Sequence, residues 1–267
     1  MDHPAINNNP FIRLRIQQAF NPGGGASGVD QSTYFGVAYS TSSGRWSIET
    51  QDLGVPLQIG LRFLVAVGAS DLIHDAIAGN TSGSGTEIDD VDFNGADLGF
   101  WSATYFRTRE GSSGPRNPHP LAMKYDSSTE RWSVVNQDSA SLPFGGGFYI
   151  WGRGESSSGI ISTSPFFERH RTASDNSLGS ATFFDLDEIN NRPNSYFFVT
   201  LDATSGALNP RPVAVAYNDA FGQWSIYNVD GTDMPIGLTY MINIVQTVLL
   251  EDGFESGGLD AWSDAVN

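Results

Sequence analysis

A tyrosine-to-tryptophan step recurs three times in this chain, and it limits the possible folds more than any other feature. Gly36-Val37-Ala38-Tyr39 leads after six residues to Trp46-Ser47-Ile48, with Asp52 and Pro56 beyond it. Ala122-Met123-Lys124-Tyr125 leads to Trp132-Ser133-Val134, then Asn136, Asp138 and Pro143. Ala214-Val215-Ala216-Tyr217 leads to Trp224-Ser225-Ile226, then Asn228, Asp230 and Pro235. A motif repeated at this period marks one module per copy, each of about 85–90 residues and so near the lower size at which a domain holds a core.

After each proline comes a glycine (Gly60, Gly145, Gly237) and then alternating apolar residues. Leu61, Phe63, Val65 and Val67 share one face, as do Phe148 and Ile150, and Tyr240, Ile242 and Ile244. Period two of this kind is the pattern of a half-buried strand. The segment from Tyr to Trp reads as a hairpin, because Ser40-Thr41-Ser42-Ser43-Gly44 and Asn218-Asp219-Ala220-Phe221-Gly222 carry the residues that reversal needs. In Trp-Ser-Ile the first and third side chains point one way, which places the tryptophan in the core. Asn136, Asp138, Asn228 and Asp230 then sit at the strand end, where they are expected to tie the proline turn through backbone hydrogen bonds.

A second block precedes this one in two copies. His74, Asn80, Thr86 and Asp89 match His170, Asn176, Thr182 and Asp185 at identical spacings, followed by Asn94 and Asn190. The first copy joins only at Asp2 and Asn7 and lacks the His-to-Thr stretch. A module without its opening strands exposes a sheet edge, which something must cover.

These motifs together resemble a bacterial family of tandem β-rich domains of about 80 residues found in secreted or cell-surface proteins. Trp224, Ile226, Asn228, Asp230, Met234 and Pro235 carry the likeness best, while Leu142 and Thr50 depart from it. The resemblance implies an extracellular β module and no particular activity. The tail from Leu250 to Gly257, Leu-Glu-Asp-Gly-Phe-Glu-Ser-Gly, is similar to an acidic segment common near the C-termini of exported bacterial proteins. The opening Met1-Asp2-His3-Pro4 has no leader pattern, so an exported form is expected to have lost one or to start elsewhere.

Composition narrows the function classes. Against 14 basic residues stand 30 acidic ones, a net charge of −16, which disfavours nucleic acid and anionic membrane surfaces. No cysteine is present, so neither disulfides nor thiolate metal sites are available. The longest apolar stretch, near Leu61 to Ala69, is interrupted by Arg62 and is too short to span a bilayer. No nucleophile elbow, phosphate loop or His-Glu-x-x-His pair appears, which argues against an enzyme. His74 and His170 are expected to be satisfied by backbone carbonyls. Asp89, Asp92, Asp185 and Asp187 are weak calcium candidates without EF-hand spacing, and turn chemistry is the favoured account of them.

The expected fold is all-β: three tandem antiparallel sandwich- or barrel-like modules, at residues 1–69 (lacking its N-terminal strand block), 70–159 and 160–247, with an acidic tail at 248–267. A closed circular array with two propeller-like blades per repeat is the alternative. The expected function is a non-enzymatic structural or adhesive protein of the extracellular or cell-surface space. Copies would join into a fibre or surface layer by strand addition through Thr247, Val248, Leu249 and Leu250, or that strand would close the gap within one chain. The alternative is a carbohydrate-binding module set using Trp101 and Trp151 as sugar platforms. Tyr39, Trp46, Asp52, Tyr125, Trp132, Tyr217 and Trp224 belong to the scaffold in either case.

Overall fold

The computed structural model describes residues 1–25, 27–68, 72–109, 112–153, 167–245 and 250–253, and among these there are strands and turns but no helix. The first module contributes β1 (Arg13–Ala19), β2 (Phe35–Ser40), β3 (Arg45–Thr50) and β4 (Arg62–Gly68). The second contributes β5 (Leu72–Asp75), β6 (Thr81–Ser82), β7 (Gly85–Glu87), β8 (Phe100–Arg109), β9 (Ser112–Ser113), β10 (Leu121–Asp126), β11 (Arg131–Asn136) and β12 (Gly147–Arg153). The third contributes β13 (Phe167–Arg171), β14 (Ser177–Leu178), β15 (Ala181–Phe184), β16 (Tyr196–Asp202), β17 (Val213–Asn218), β18 (Gln223–Asn228) and β19 (Thr239–Val245), and β20 (Leu250–Gly253) follows.

Each repeated motif folds as its chemistry dictates. Tyr39 pairs with Trp46, Tyr125 with Trp132 and Tyr217 with Trp224 across antiparallel hairpins. The glycine after each proline turn adopts positive φ, at 92° for Gly60, 84° for Gly145 and 91° for Gly237. A β-carbon is strained in that conformation, so the turn into β4, β12 and β19 calls for glycine.

The strands form three sheets, ordered β14-β15-β18-β17-β1-β4-β20, β13-β19-β16-β10-β11-β7-β6 and β3-β2-β8-β12-β5, with β9 on β8. No module owns a sheet. The hairpin of each module joins, in parallel, the first long strand of the next: β2 pairs with β8, and β10 with β16. The third hairpin returns to the start, with Val215 of β17 opposite Ala19 of β1. Modules therefore share sheets pairwise, and the ring closes between residues almost 200 positions apart. It closes as three shared sheets and not as propeller-like blades.

The equivalent strands β1, β8 and β16 pack against one another around a pseudo-threefold axis. Three cores lie between the sheets, one per pair. Trp46 anchors the first, Trp132 the second and Trp224 the third, each fully buried. The strands after the proline turns face two cores at once. In β4, Phe63 and Val65 enter one core and Leu64 another; in β12, Phe148 and Ile150 enter one, Tyr149 and Trp151 another. The half-buried strand expected from alternation is thus buried on both faces, because a middle strand of a three-sheet prism has no solvent side.

Candidate functional site

The Asn and Asp of the repeat hold the proline turn. Asn136 Nδ2 donates to Ala140 O at 3.1 Å, and Asn228 Nδ2 donates to Thr232 O at the same distance. Asp52, Asp138 and Asp230 accept backbone N–H groups from Gly54, Ala140 and Thr232. The repeated His-Asn-Thr set is a cross-brace between sheets. His74 Nε2 meets Thr86 Oγ1 at 2.8 Å and His170 Nε2 meets Thr182 Oγ1 at 2.7 Å; each threonine donates to Asn80 or Asn176 Oδ1. The histidines are thus held by hydroxyls, not by the backbone carbonyls expected. Burial pushes the pKa of His170 down to about 4 and that of His74 in the same direction, so both rings are neutral at pH 7.

At one end of the pseudo-threefold axis, side-chain amides link the modules in sequence. Gln51 Oε1 accepts from Asn117 N at 3.3 Å, and Gln137 Oε1 accepts from Asn209 N at 2.9 Å. At the third seam Val229 stands where these glutamines would be, and Gln31 N is met from within its own module, by the Gln18 amide oxygen at 3.0 Å in the amide orientation that satisfies both of its ends. Inside this ring lies a cavity of about 150 Å³. Its walls come from equivalent positions of all three modules: Gln18, Tyr105 and Leu201 on the axial strands, and Thr33, His119 and Arg211 ahead of the hairpins.

The basic side chains here are already paired. His119 Nδ1 lies 2.6 Å from Asp138 Oδ2 and Arg211 lies 3.1 Å from Asp230. Tyr34, which stands where the other modules have Pro120 and Pro212, also lines the cavity. Burial, helped by Asp138 and Asp230 against the opposing Arg211, pushes its pKa up to about 12, so its hydroxyl remains a donor. Among the described residues the hydroxyls of Tyr34, Thr33 and Thr200 have no hydrogen-bond partner.

A second cavity, of about 500 Å³, lies where the third hairpin meets the glycine-rich loop after β1. Its polar groups are engaged with one another. Asn21 bonds both backbone groups of Tyr217 at 2.8 Å, Gly25 N donates to Asp219 at 2.8 Å, and Tyr227 donates to Asp30.

The gap in the first module is filled from the far end of the chain. β20 pairs antiparallel with β4, placing Asp252 opposite Phe63, the register position that His74 holds opposite Phe148 and His170 opposite Tyr240. Of the expected assembly strand, Leu250 lies in β20, and Thr247, Val248 and Leu249 lie outside the described residues. The outer edge of β3 has no counterpart of the β6–β7 hairpin on β11 or the β14–β15 hairpin on β18 among the described residues. There the Met1 ammonium donates to Trp46 O at 2.7 Å, as Ile88 N does to Trp132 O at 2.8 Å.

Other expectations fail on burial or geometry. Trp101 and Trp151 are 3% and 5% exposed, so neither is an open sugar platform. Trp101 stacks on Phe93 with centroids 3.9 Å apart, and the Arg15 guanidinium covers Trp151 at 5.1 Å. The calcium candidates do not converge: no group of three His, Asp or Glu among the described residues is placed to hold a metal. Asp89 instead receives Asn94 and Arg131, Asp185 receives Asn190, and Asp92 and Asp187 join no such group. The axial residues escaped sequence reading because they sit where the repeats differ; counting from Asp2, Asp89 and Asp185 reaches Gln18, Tyr105 and Leu201 at one offset.

A family model, that of a domain of unknown function designated DUF7452, matches the chain over residues 1–67, 58–152 and 122–244. The chain belongs to that family, as overlapping tandem copies. No curated protein and no solved structure matches it.

Proposed function

We propose that this DUF7452 protein is a non-enzymatic structural or adhesive protein of the extracellular or cell-surface space, whose copies link by β-strand addition. The observation that supports this is the pairing of β20 with β4. The first module is completed by a strand from the other end of the chain, so strand addition already joins distant parts of the molecule. Donated to the next copy, the same strand makes a head-to-tail contact that does not close, and such contacts propagate into fibres. The acidity of the chain, with its net charge of −16, suits a partner that is another copy or a neutral surface glycan over a polyanion.

Removing residues 246–267 and following size by light scattering over a range of concentrations tests this reading. The full chain should form larger species that the truncated chain does not, and truncation should lower the melting temperature. A full chain that stays monomeric at every concentration overturns assembly, whatever the melting temperature does. A second reading, carbohydrate binding, has lost its tryptophan platforms, and the axial cavity is what now favours it. Binding of the full chain to a glycan array tests it, and an array without hits removes it.

A further inference from the structure

We propose that the cavity on the pseudo-threefold axis binds one neutral sugar ring of hexose size, either free or as the terminal residue of a glycan. This rests on the carbohydrate reading and gives it a place in the fold.

Volume comes first. Pockets for drug-sized ligands begin near roughly 300 Å³. The axial cavity, at about 150 Å³, suits something smaller, of the order of a single pyranose. Charge comes second. Arg211 and His119 are held by Asp230 and Asp138, so an anion would meet the carboxylates as well as the Arg211 guanidinium. A free cation would meet the guanidinium. A neutral polar ligand meets neither penalty.

Hydrogen-bonding capacity is the third and deciding point. The larger cavity beside the glycine-rich loop has its Tyr227, Asp30, Asn21 and Asp219 bonded within the protein. The axial cavity has hydroxyls to spare: those of Tyr34, Thr33 and Thr200 have no partner among the described residues. Phe35, Leu121 and Val213, at equivalent positions, add an apolar side. Hydroxyl groups set against an aromatic or aliphatic wall match a sugar, which carries hydroxyls around its rim and C–H groups on its faces.

The threefold symmetry is also broken here. Gln18, Tyr105 and Leu201 are chemically unlike although they occupy one position of the repeat. The scaffold tryptophans at their own repeat position are identical. A single asymmetric ligand on the axis needs walls that differ, whereas a purely structural axis has no such need.

The test uses the full chain in ligand-observed saturation-transfer NMR with methyl glycosides of glucose, galactose, mannose and N-acetylglucosamine, together with a glycan array. The variants are Tyr34→Phe and Thr200→Val, each removing only a hydroxyl, with circular dichroism melting to confirm folding. At least one sugar should give saturation transfer, and each variant should weaken it by about tenfold or more, since a site built to bond a hydroxyl discriminates strongly against its loss. Signal with the methyl glycosides identifies a free-sugar site; signal on the array alone identifies a glycan terminus. Sugar binding that both folded variants retain overturns the axial site while leaving the carbohydrate reading standing. No transfer from any glycoside and no array hit overturns both.

Discussion

Asn21→Ala examines whether the three modules are one cooperative ring. Asn21 follows β1 and is 3% exposed. Its Oδ1 accepts from Tyr217 N at 2.8 Å, and its Nδ2 donates to Tyr217 O at 2.8 Å and to Gly25 O at 2.7 Å. The side chain thus continues the β1–β17 seam for one more residue, as Thr204 Oγ1 does for Tyr125 N at the second seam. Alanine would leave the N–H and C=O of Tyr217 without a partner, at about 1–3 kcal/mol for each buried group. The groove lined by Asn21 and Tyr217 can admit water, which pulls the total toward the lower half of that range. The expected loss is about 2–3 kcal/mol, or roughly 5–10 °C in melting temperature for a chain of this size. Urea unfolding followed by tryptophan fluorescence reads it well, because every core holds at least one indole. The whole fluorescence transition should move to lower urea with an unchanged slope. If most of the signal kept the wild-type midpoint and a minor phase shifted, the modules would be independent and the ring would hold nothing together. A shift below about 0.5 kcal/mol would show that the seam contributes little, because surface changes alone reach that size.

Two further outcomes follow from the buried polar groups. His170 and His74 are neutral when folded because burial lowers their pKa, to about 4 for His170. The unfolded chain takes up these protons first, so stability is full above about pH 6.5 and falls as the pH drops toward 4. The paired substitution His74→Gln and His170→Gln should flatten the midpoint-against-pH curve in that window, and an unaltered curve would assign the loss to other groups. Asn228→Ala removes one acceptor of Asn209 Nδ2, at 2.8 Å, leaving the Tyr240 hydroxyl as another, and removes the tie to Thr232 O, beside an Asn209 Oδ1 that lacks a partner among the described residues. It should cost about 3 kcal/mol in urea unfolding. Thr50→Asn, at the same repeat position in the first module, should change stability by less than about 1 kcal/mol.

How far the fold could be read from sequence depended on whether a contact left a local pattern. Tyr-x₆-Trp hairpins did, since both strands and their turn lie within one short segment. Trp-Ser-Ile alternation likewise put the indoles inside. The seam between Ala19 and Val215 left nothing, because parallel pairing between distant segments imposes no spacing on either. Alternation in β4 and β12 pointed to one buried face and hid the second, because Leu64 and Tyr149 read as residues on a solvent side until a third sheet is placed against them. The cavity was hidden for a different reason. Repeats align by what they share, and Gln18, Tyr105 and Leu201 share only a position.

The first module has two edges, and they differ in a way that bears on the proposed assembly. On β4 the edge is filled by β20. On β3 the hairpin of the other modules has no counterpart among the described residues, yet this edge is poorly suited to accept a strand. The Met1 ammonium occupies Trp46 O, and Asp2 holds Arg45 at 2.7 Å at the same end. At the other end Glu49 is gripped by Arg107 at 2.8 Å and Arg116 at 3.4 Å, so the exposed run between is only a few residues long. Short edges flanked by fixed charges resist pairing with another chain. Along the β4 edge four consecutive residues of β20 pair with Arg62 to Val65. Under the proposed assembly β4 is the edge that would exchange, since its partner strand is the chain's own and a second copy carries an identical one. In that proposal closing one ring and linking two rings would draw on the same four residues, and chain concentration would decide between them.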